Sequence, residues 1–285
     1  NIAVVNFFIA QGLNPYQLYD QETNGLILAA ICDHLEIFKS LLLNIEAEEE
    51  DIKHFVEQAA EYAAMRGNTK ILKYILEEYG TKLKAPDLIN HAIYSGQIKV
   101  VSYLLQKILL IEDQGEKQET LNKAWLFSAS RPYTYLMEYL FKLNVFVDYA
   151  DENGLNALMY AAKHGQVNNL LYLYEKVGLN LNQTDKNGLT ALAHAATAGK
   201  IQAVAFLITN TASASILDNN SCGPLHHAKA NGHDQVVEYL QKYLPLDNTQ
   251  HGIDSIESIS HDPTNTLQLD EHTQSSIGLL GDHPQ

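Results

Sequence analysis

A fifteen-residue segment recurs in the C-terminal half of the chain at a near-constant interval, and a period of about 20–50 residues restricts a sequence to a stack of similar units. Asp151-Glu-Asn-Gly154-Leu-Asn-Ala-Leu158-Met-Tyr-Ala161-Ala162-Lys-His-Gly165 aligns with Asp185-Lys-Asn-Gly188-Leu-Thr190-Ala-Leu192-Ala-His-Ala195-Ala196-Thr-Ala-Gly199. Both align with Asp218-Asn-Asn-Ser221-Cys-Gly-Pro224-Leu225-His226-His-Ala228-Lys-Ala-Asn-Gly232, at spacings of 34 and 33 residues. Each copy continues into an apolar segment of helical periodicity: Val167 to Tyr174, Ile201 to Ile208 and Val236 to Tyr243.

The D-x-x-G segment, the T-P-L-H-like turn, the A-A-x-x-G run and the following V-V-x-x-L-L pattern resemble the ankyrin repeat family. Degenerate copies extend the resemblance towards the N-terminus. Ala63-Ala64-Met-Arg-Gly67 leads into Ile71-Leu72, and Ala92-Ile-Tyr-Ser-Gly96 leads into Val100-Val101. Ala29-Ala30-Ile-Cys-Asp33 places Asp where the others have Gly, and Phe127-Ser-Ala-Ser-Arg131 is the weakest copy. Val4 to Gly12-Leu-Asn-Pro15 reads as the second helix and exit of a unit without its first helix. The expected fold is therefore an all-α solenoid over residues 1–244: seven turns at positions 33, 67, 96, 131, 165, 199 and 232, plus a leading half-unit. Residues 1–142 hold the degenerate repeats and 143–244 the regular ones, and short β-hairpin fingers are expected mainly in the latter. No D-x-x-G finger occurs between residues 44 and 131, where the first helices read as longer and acidic, as in Glu48-Glu-Glu-Asp51.

Paired alanines allow close helix approach, and glycine between the helices permits a left-handed turn. Thr190 is placed to cap the helix it precedes. Tyr74, Tyr103, Tyr139 and Tyr239 share one register of the second helices and read as core or half-core.

Charge bounds the partners. Nineteen Lys and Arg against 34 Asp and Glu give −15. No Lys or Arg follows Lys242, so the tail of residues 245–285 carries −7 and the remainder −8. Polar, acidic and without aromatics, that tail is expected to be flexible. Net acidity disfavours nucleic acid, because that binding relies on cations displacing counterions from phosphates. It favours a protein partner with a basic patch, through steering. The apolar opening, Ile2 to Leu13, lacks a basic lead and is too short to span a bilayer, so no membrane insertion is expected. Two cysteines 190 positions apart, Cys32 and Cys222, suit a reducing, cytoplasmic setting with free thiols, Cys32 reading as a small buried thiol.

No phosphate-binding glycine loop, nucleophile elbow or H-E-x-x-H site occurs, and no cofactor is expected. Cys222, His226, His227 and His233 form the densest group of reactive side chains, with chemistry suited to zinc or to a nucleophile and base. The alternative reading is structural, because His226 falls on the His of the T-P-L-H turn and Cys222 on a variable finger position.

What the resemblance implies about function is a non-catalytic protein-binding surface, made by the finger tips and the ends of the first helices. Carried onto this chain, the first unit contributes Glu152, Asn153, Leu155, Lys163 and His164. The second contributes Lys186, Asn187, Leu189, Thr197 and Ala198. The third contributes Asn219, Asn220, Cys222, Ala230 and Asn231, and the degenerate units Met65, Arg66, Tyr94 and Ser95. Leu155, Leu189 and Tyr94 are the expected exposed anchors, with packing against neighbouring fingers as the alternative for the two leucines. Similar repeats occur in eukaryotic scaffolds and in effectors that intracellular bacteria deliver into host cytoplasm, where the tail would suit a secretion signal. A start at Asn1 leaves open the targeting part of a larger enzyme. The stack alone is expected to be monomeric.

Overall fold

The computed structural model describes residues 2–11, 24–44, 49–80 and 85–243. The tail and the exit after the leading helix lie outside them. Among the described residues the chain is helical, with no strand.

α1 (Ile2–Ala10) stands alone, and the other helices come in pairs joined by short turns. The pairs are α2 (Gly25–Ile31) with α3 (Leu35–Leu43), α4 (Glu49–Arg66) with α5 (Thr69–Glu78), α6 (Ala85–Tyr94) with α7 (Ile98–Leu109), and α8 (Gln114–Ala129) with α9 (Thr134–Phe141). Then follow α10 (Ala157–His164) with α11 (Val167–Tyr172), α12 (Ala191–Thr197) with α13 (Ile201–Thr209), and α14 (Pro224–Ala230) with α15 (Asp234–Tyr243). α11 widens into a π-helical turn, Leu173–Val177, before Gly178.

First helices pack on first helices from α2 through α14, while α1, α3, α5 and α7, and then α9, α11, α13 and α15, pack as a second layer. The alanines supply the close contact: Ala63, Ala64, Ala161, Ala162, Ala195 and Ala196 are all fully buried. Between the layers lie the large apolar side chains, Trp125, Phe38, Ile71, Leu72, Leu104 and Leu105 among them. The four register tyrosines of the second helices are half-buried against this core, as expected. First helices of 18 and 16 residues in α4 and α8, against 7 or 8 in α10, α12 and α14, bear out the longer first helices expected between residues 44 and 131.

Backbone geometry at the turns follows the sequence closely. Gly165 closes α10 in the left-handed conformation at φ +71°, and Asp33, in the glycine position of its unit, is held at φ +56°. The α8–α9 turn departs from this pattern. Ser130, Arg131, Pro132 and Tyr133 make a four-residue link without a left-handed residue, so Arg131 needs no glycine geometry.

Four of the turns are also secured by a side chain of the unit that follows. Asn68 Nδ2 donates to the carbonyls of Ala30 (2.7 Å) and Ile31 (2.9 Å). Buried Asn169 donates to those of Ala129 (3.0 Å) and Arg131 (2.6 Å) while its Oδ1 accepts from the Thr134 hydroxyl at 2.7 Å. Tyr135 donates to Gly96 O at 2.7 Å, and His233 Nε2 lies 3.0 Å from Thr197 O. These contacts satisfy carbonyls that a helix C-terminus leaves without intrahelical partners.

Candidate functional site

Three loops precede α10, α12 and α14, and each is organised by one carboxylate. Oδ1 of Asp151 accepts from the backbone N–H of Asn153 (2.9 Å) and Leu155 (2.8 Å). Asp185 does the same for Asn187 and Leu189, and Asp218 for Asn220 and Cys222, each at 2.8 Å. The second oxygen takes a side chain nine residues on: Tyr160 OH at 2.9 Å, His194 Nε2 at 3.0 Å and His227 Nε2 at 2.9 Å. The expected β-hairpin fingers are thus Asp-centred turns. Their only bridges among the described residues are the isolated antiparallel pairs Ala150–Asn156 and Thr184–Thr190.

Side-chain caps start two of the helices that the fingers feed, α10 and α12, while α14 begins after Gly223 with Pro224 in its first turn. Met159 N donates to Asn156 Oδ1 at 3.0 Å, and Ala193 N to the hydroxyl of Thr190 at 3.2 Å, the capping role its sequence position predicts. Successive fingers are joined by backbone: Lys186 N donates to Asn153 O (3.1 Å) and Asn219 N to Asn187 O (2.9 Å). Gly188 is required here. Its φ is +83°, and a Cβ would come within 3.0 Å of Asn219 N.

Most of the expected surface residues are exposed. Glu152, Asn153, Lys163, His164, Lys186, Asn187, Asn219, Asn220, Asn231, Arg66 and Tyr94 all face solvent, while Met65, Leu189, Thr197 and Cys222 are half-buried. Several are already engaged. Asn219 Nδ2 donates to Lys186 O, Asn231 Nδ2 to His227 O, and the Thr197 hydroxyl to Ala193 O. Leu155 is not an exposed anchor: only 9% accessible, it packs into the core beneath its finger, on the side of the packing alternative, whereas Leu189, with the same backbone hydrogen bonds to its finger aspartate, is half-buried.

The Cys222–histidine group is divided by structural duties. His227 is bound to Asp218 and His233 to Thr197 O, whereas the Cys222 thiol points to Asn220 O at 3.6 Å. The finger-binding imidazole is that of His227 and not of His226, which is exposed and meets only the His227 ring edge-on. No group of three or more potential metal ligands gathers among the described residues. Cys32, expected to be buried, is exposed on the turn after α2.

Sequence reasoning missed Arg131, treated only as an irregular turn residue. Its guanidinium carbon lies 4.1 Å from the Tyr94 ring centroid and 5.1 Å from that of Phe127. The i, i+4 spacing of Phe127 and Arg131 was the available signal. Next to it, desolvation and the positive charges of Arg131, Lys163 and Lys200 hold the His164 imidazole below its ordinary pKa, against a hydrogen bond with Tyr160 O at 3.1 Å. At the fingers, burial and the hydrogen bond to Asp151 push Tyr160 up to about 12. Burial likewise lowers His194: the Asp185 carboxylate opposes this, but its charge is shared with two backbone N–H groups. His194 is therefore a neutral donor near pH 7.

No helix among the described residues is long and apolar enough to cross a membrane. Among known protein families, the one described as "Ankyrin repeats (3 copies)" matches residues 26–117, 88–185 and 177–250. No curated protein matches the chain.

Proposed function

Since the chain belongs to the ankyrin-repeat family, whose repeats are in general protein-interaction modules, we propose that residues 1–244, as seven units and a leading half-unit, form a non-catalytic surface that docks one partner protein. The observation that carries this reading is a row of exposed side chains on a cross-bonded frame. Glu152, Asn153, Lys186 and Asn187 stand on finger loops fixed by Asp151 and Asp185, and Arg66, Tyr94, Lys163 and His164 stand at the C-terminal ends of first helices. Such a surface loses little conformational freedom on binding.

Affinity capture with the full chain tests the reading. Finger variants (Glu152→Ala, Asn153→Ala, Lys186→Ala, Asn187→Ala, combined) and Tyr94→Ala are expected to lose the partner. Lys99→Ala with Lys176→Ala, on the second-helix layer, is expected to keep it. Equal loss from both sets would place binding elsewhere.

A further inference from the structure

The −15 of the chain is not spread over this face. α10, α12 and α14 contain no Asp or Glu, and their ionisable side chains are Tyr160, Lys163, Lys229 and four histidines. At the turn end of the face Arg131, Lys163 and Lys200 all act on one imidazole, that of His164, and no carboxylate is among the charges that perturb it. None of the three forms an ion pair among the described residues, where the acids that do pair are Glu36, Glu57, Glu61, Glu119, Asp185 and Asp218. Lys200 is laid over Gly165, its Cδ 3.1 Å from where a Cβ there would stand.

Arg131 is fixed in advance. Asn169 holds its carbonyl at 2.6 Å, Tyr94 and Phe127 stack on its guanidinium, and its Nε is sealed from water without a hydrogen-bond partner. An ordinary surface arginine gives up considerable side-chain freedom to grip a carboxylate, whereas this one has already lost it.

Resting on the binding reading above, we propose that Arg131, Lys163 and Lys200, with Tyr94 beside them, dock an acidic segment of the partner protein, an extended stretch rich in Asp and Glu. Charge complementarity selects the occupant: three cations without an ion-pair partner among the described residues meet at the His164 turn, where no carboxylate is among the charges acting on that imidazole. Net acidity elsewhere does not forbid this, because charges more than about 8 Å away are largely screened at physiological ionic strength. The carboxylates pair with the Arg131 fork and the two ammonium groups, and an apolar residue of the segment covers the free edge of Tyr94, which is 50% exposed.

The full chain is tested by fluorescence anisotropy against three labelled twelve-residue peptides: one of alternating Glu and Ser, its Gln counterpart and its Lys counterpart. The Glu peptide is expected to bind, about tenfold or more tighter than the Gln peptide at 50 mM salt, and to weaken at 200 mM. Lys163→Glu with Lys200→Glu, both at exposed sites, is expected to abolish that preference while leaving the thermal transition unchanged, and Arg131→Gln to reduce it. A Glu peptide that binds no better than the Gln peptide, a preference unmoved by the double reversal, or tighter binding of a poly-dT oligonucleotide overturns the proposal. Preference for the Lys peptide, lost with Tyr94→Ala, also overturns it but leaves the docking face standing. The docking face itself fails only if partner capture is insensitive to the finger and Tyr94 variants.

Discussion

The Nε2 of His194 lies 3.0 Å from Oδ2 of Asp185, nine residues earlier, and Tyr160 and His227 occupy the same place against Asp151 and Asp218. Each pair ties a finger to the first turn and a half of the helix behind it. The aspartate meets its remaining needs with backbone N–H groups, so a finger holds its shape without a strand ladder.

That geometry sets a pH dependence. His194 has a folded pKa below 6.5, so the unfolded chain binds the extra proton first as pH falls. Its stability contribution is complete above pH 6.5 and is lost as pH drops from there towards the lower folded value. Asp218, held low by the N–H of Cys222, then that of Asn220 and by His227, contributes above pH 3.8 and loses its contribution on further acidification. Urea titrations at pH 7.5, 6.5 and 5.5 are expected to show His194→Gln less stable than wild type at pH 7.5, with the gap narrowing at 5.5. A constant gap would refute neutral His194.

Asn169 is fully buried and serves three groups from the preceding unit. Asn169→Ala strands those carbonyls and is expected to cost about 2–4 kcal/mol. Asn169→Asp should cost more, since a buried carboxylate would face carbonyl oxygens. Chemical denaturation measures both; a loss below about 0.5 kcal/mol for the alanine variant contradicts the bridging role.

Equivalent positions in the second and third fingers should respond with opposite signs. Gly188→Ala adds a Cβ at positive φ against Asn219 and is expected to destabilise by about 2 kcal/mol or more. Ser221 sits at φ +61° in the last finger, so Ser221→Gly should leave stability unchanged or raise it by about 1 kcal/mol. Thermal melts compare the two directly.

Leu155 and Tyr94 separate stability from binding. Leu155→Ala removes a core side chain and is expected to cost about 2–4 kcal/mol. Tyr94→Ala, which forfeits one stacked ring, should cost about 1 kcal/mol or less yet lose the partner. The reverse pattern would move the binding face away from Tyr94.

Accessibility also orders the thiols. Exposed Cys32 is expected to react with iodoacetamide before half-buried Cys222, by peptide mass mapping at pH 7.5. Faster labelling of Cys222 would revive a nucleophile in the third finger.

The helical layers and turns were legible because they rest on periodicity: alanine pairs, apolar second helices and a left-handed residue recur in register, down to Asp33 in place of glycine. For Leu155 the sequence left exposure and packing both open. Leu155 and Leu189 hold the same repeat position and the same backbone hydrogen bond to the finger aspartate, yet differ in burial, a difference spacing alone does not reveal. The same holds for His227 against His226, where adjacent imidazoles differ only in which one meets the carboxylate. Arg131 escaped notice because its two rings come from one residue four positions away and another in the preceding unit.

The backward reach of Asn68, Tyr135, Asn169 and His233 gives the chain a direction in time. Each of these four turns, emerging from the ribosome, carries open carbonyls until the anchoring side chain of the next unit, 36 to 39 residues later, has been made. Synthesis therefore finishes each of these storeys one step behind the one under construction, and a nascent chain stalled there ends in an uncapped turn.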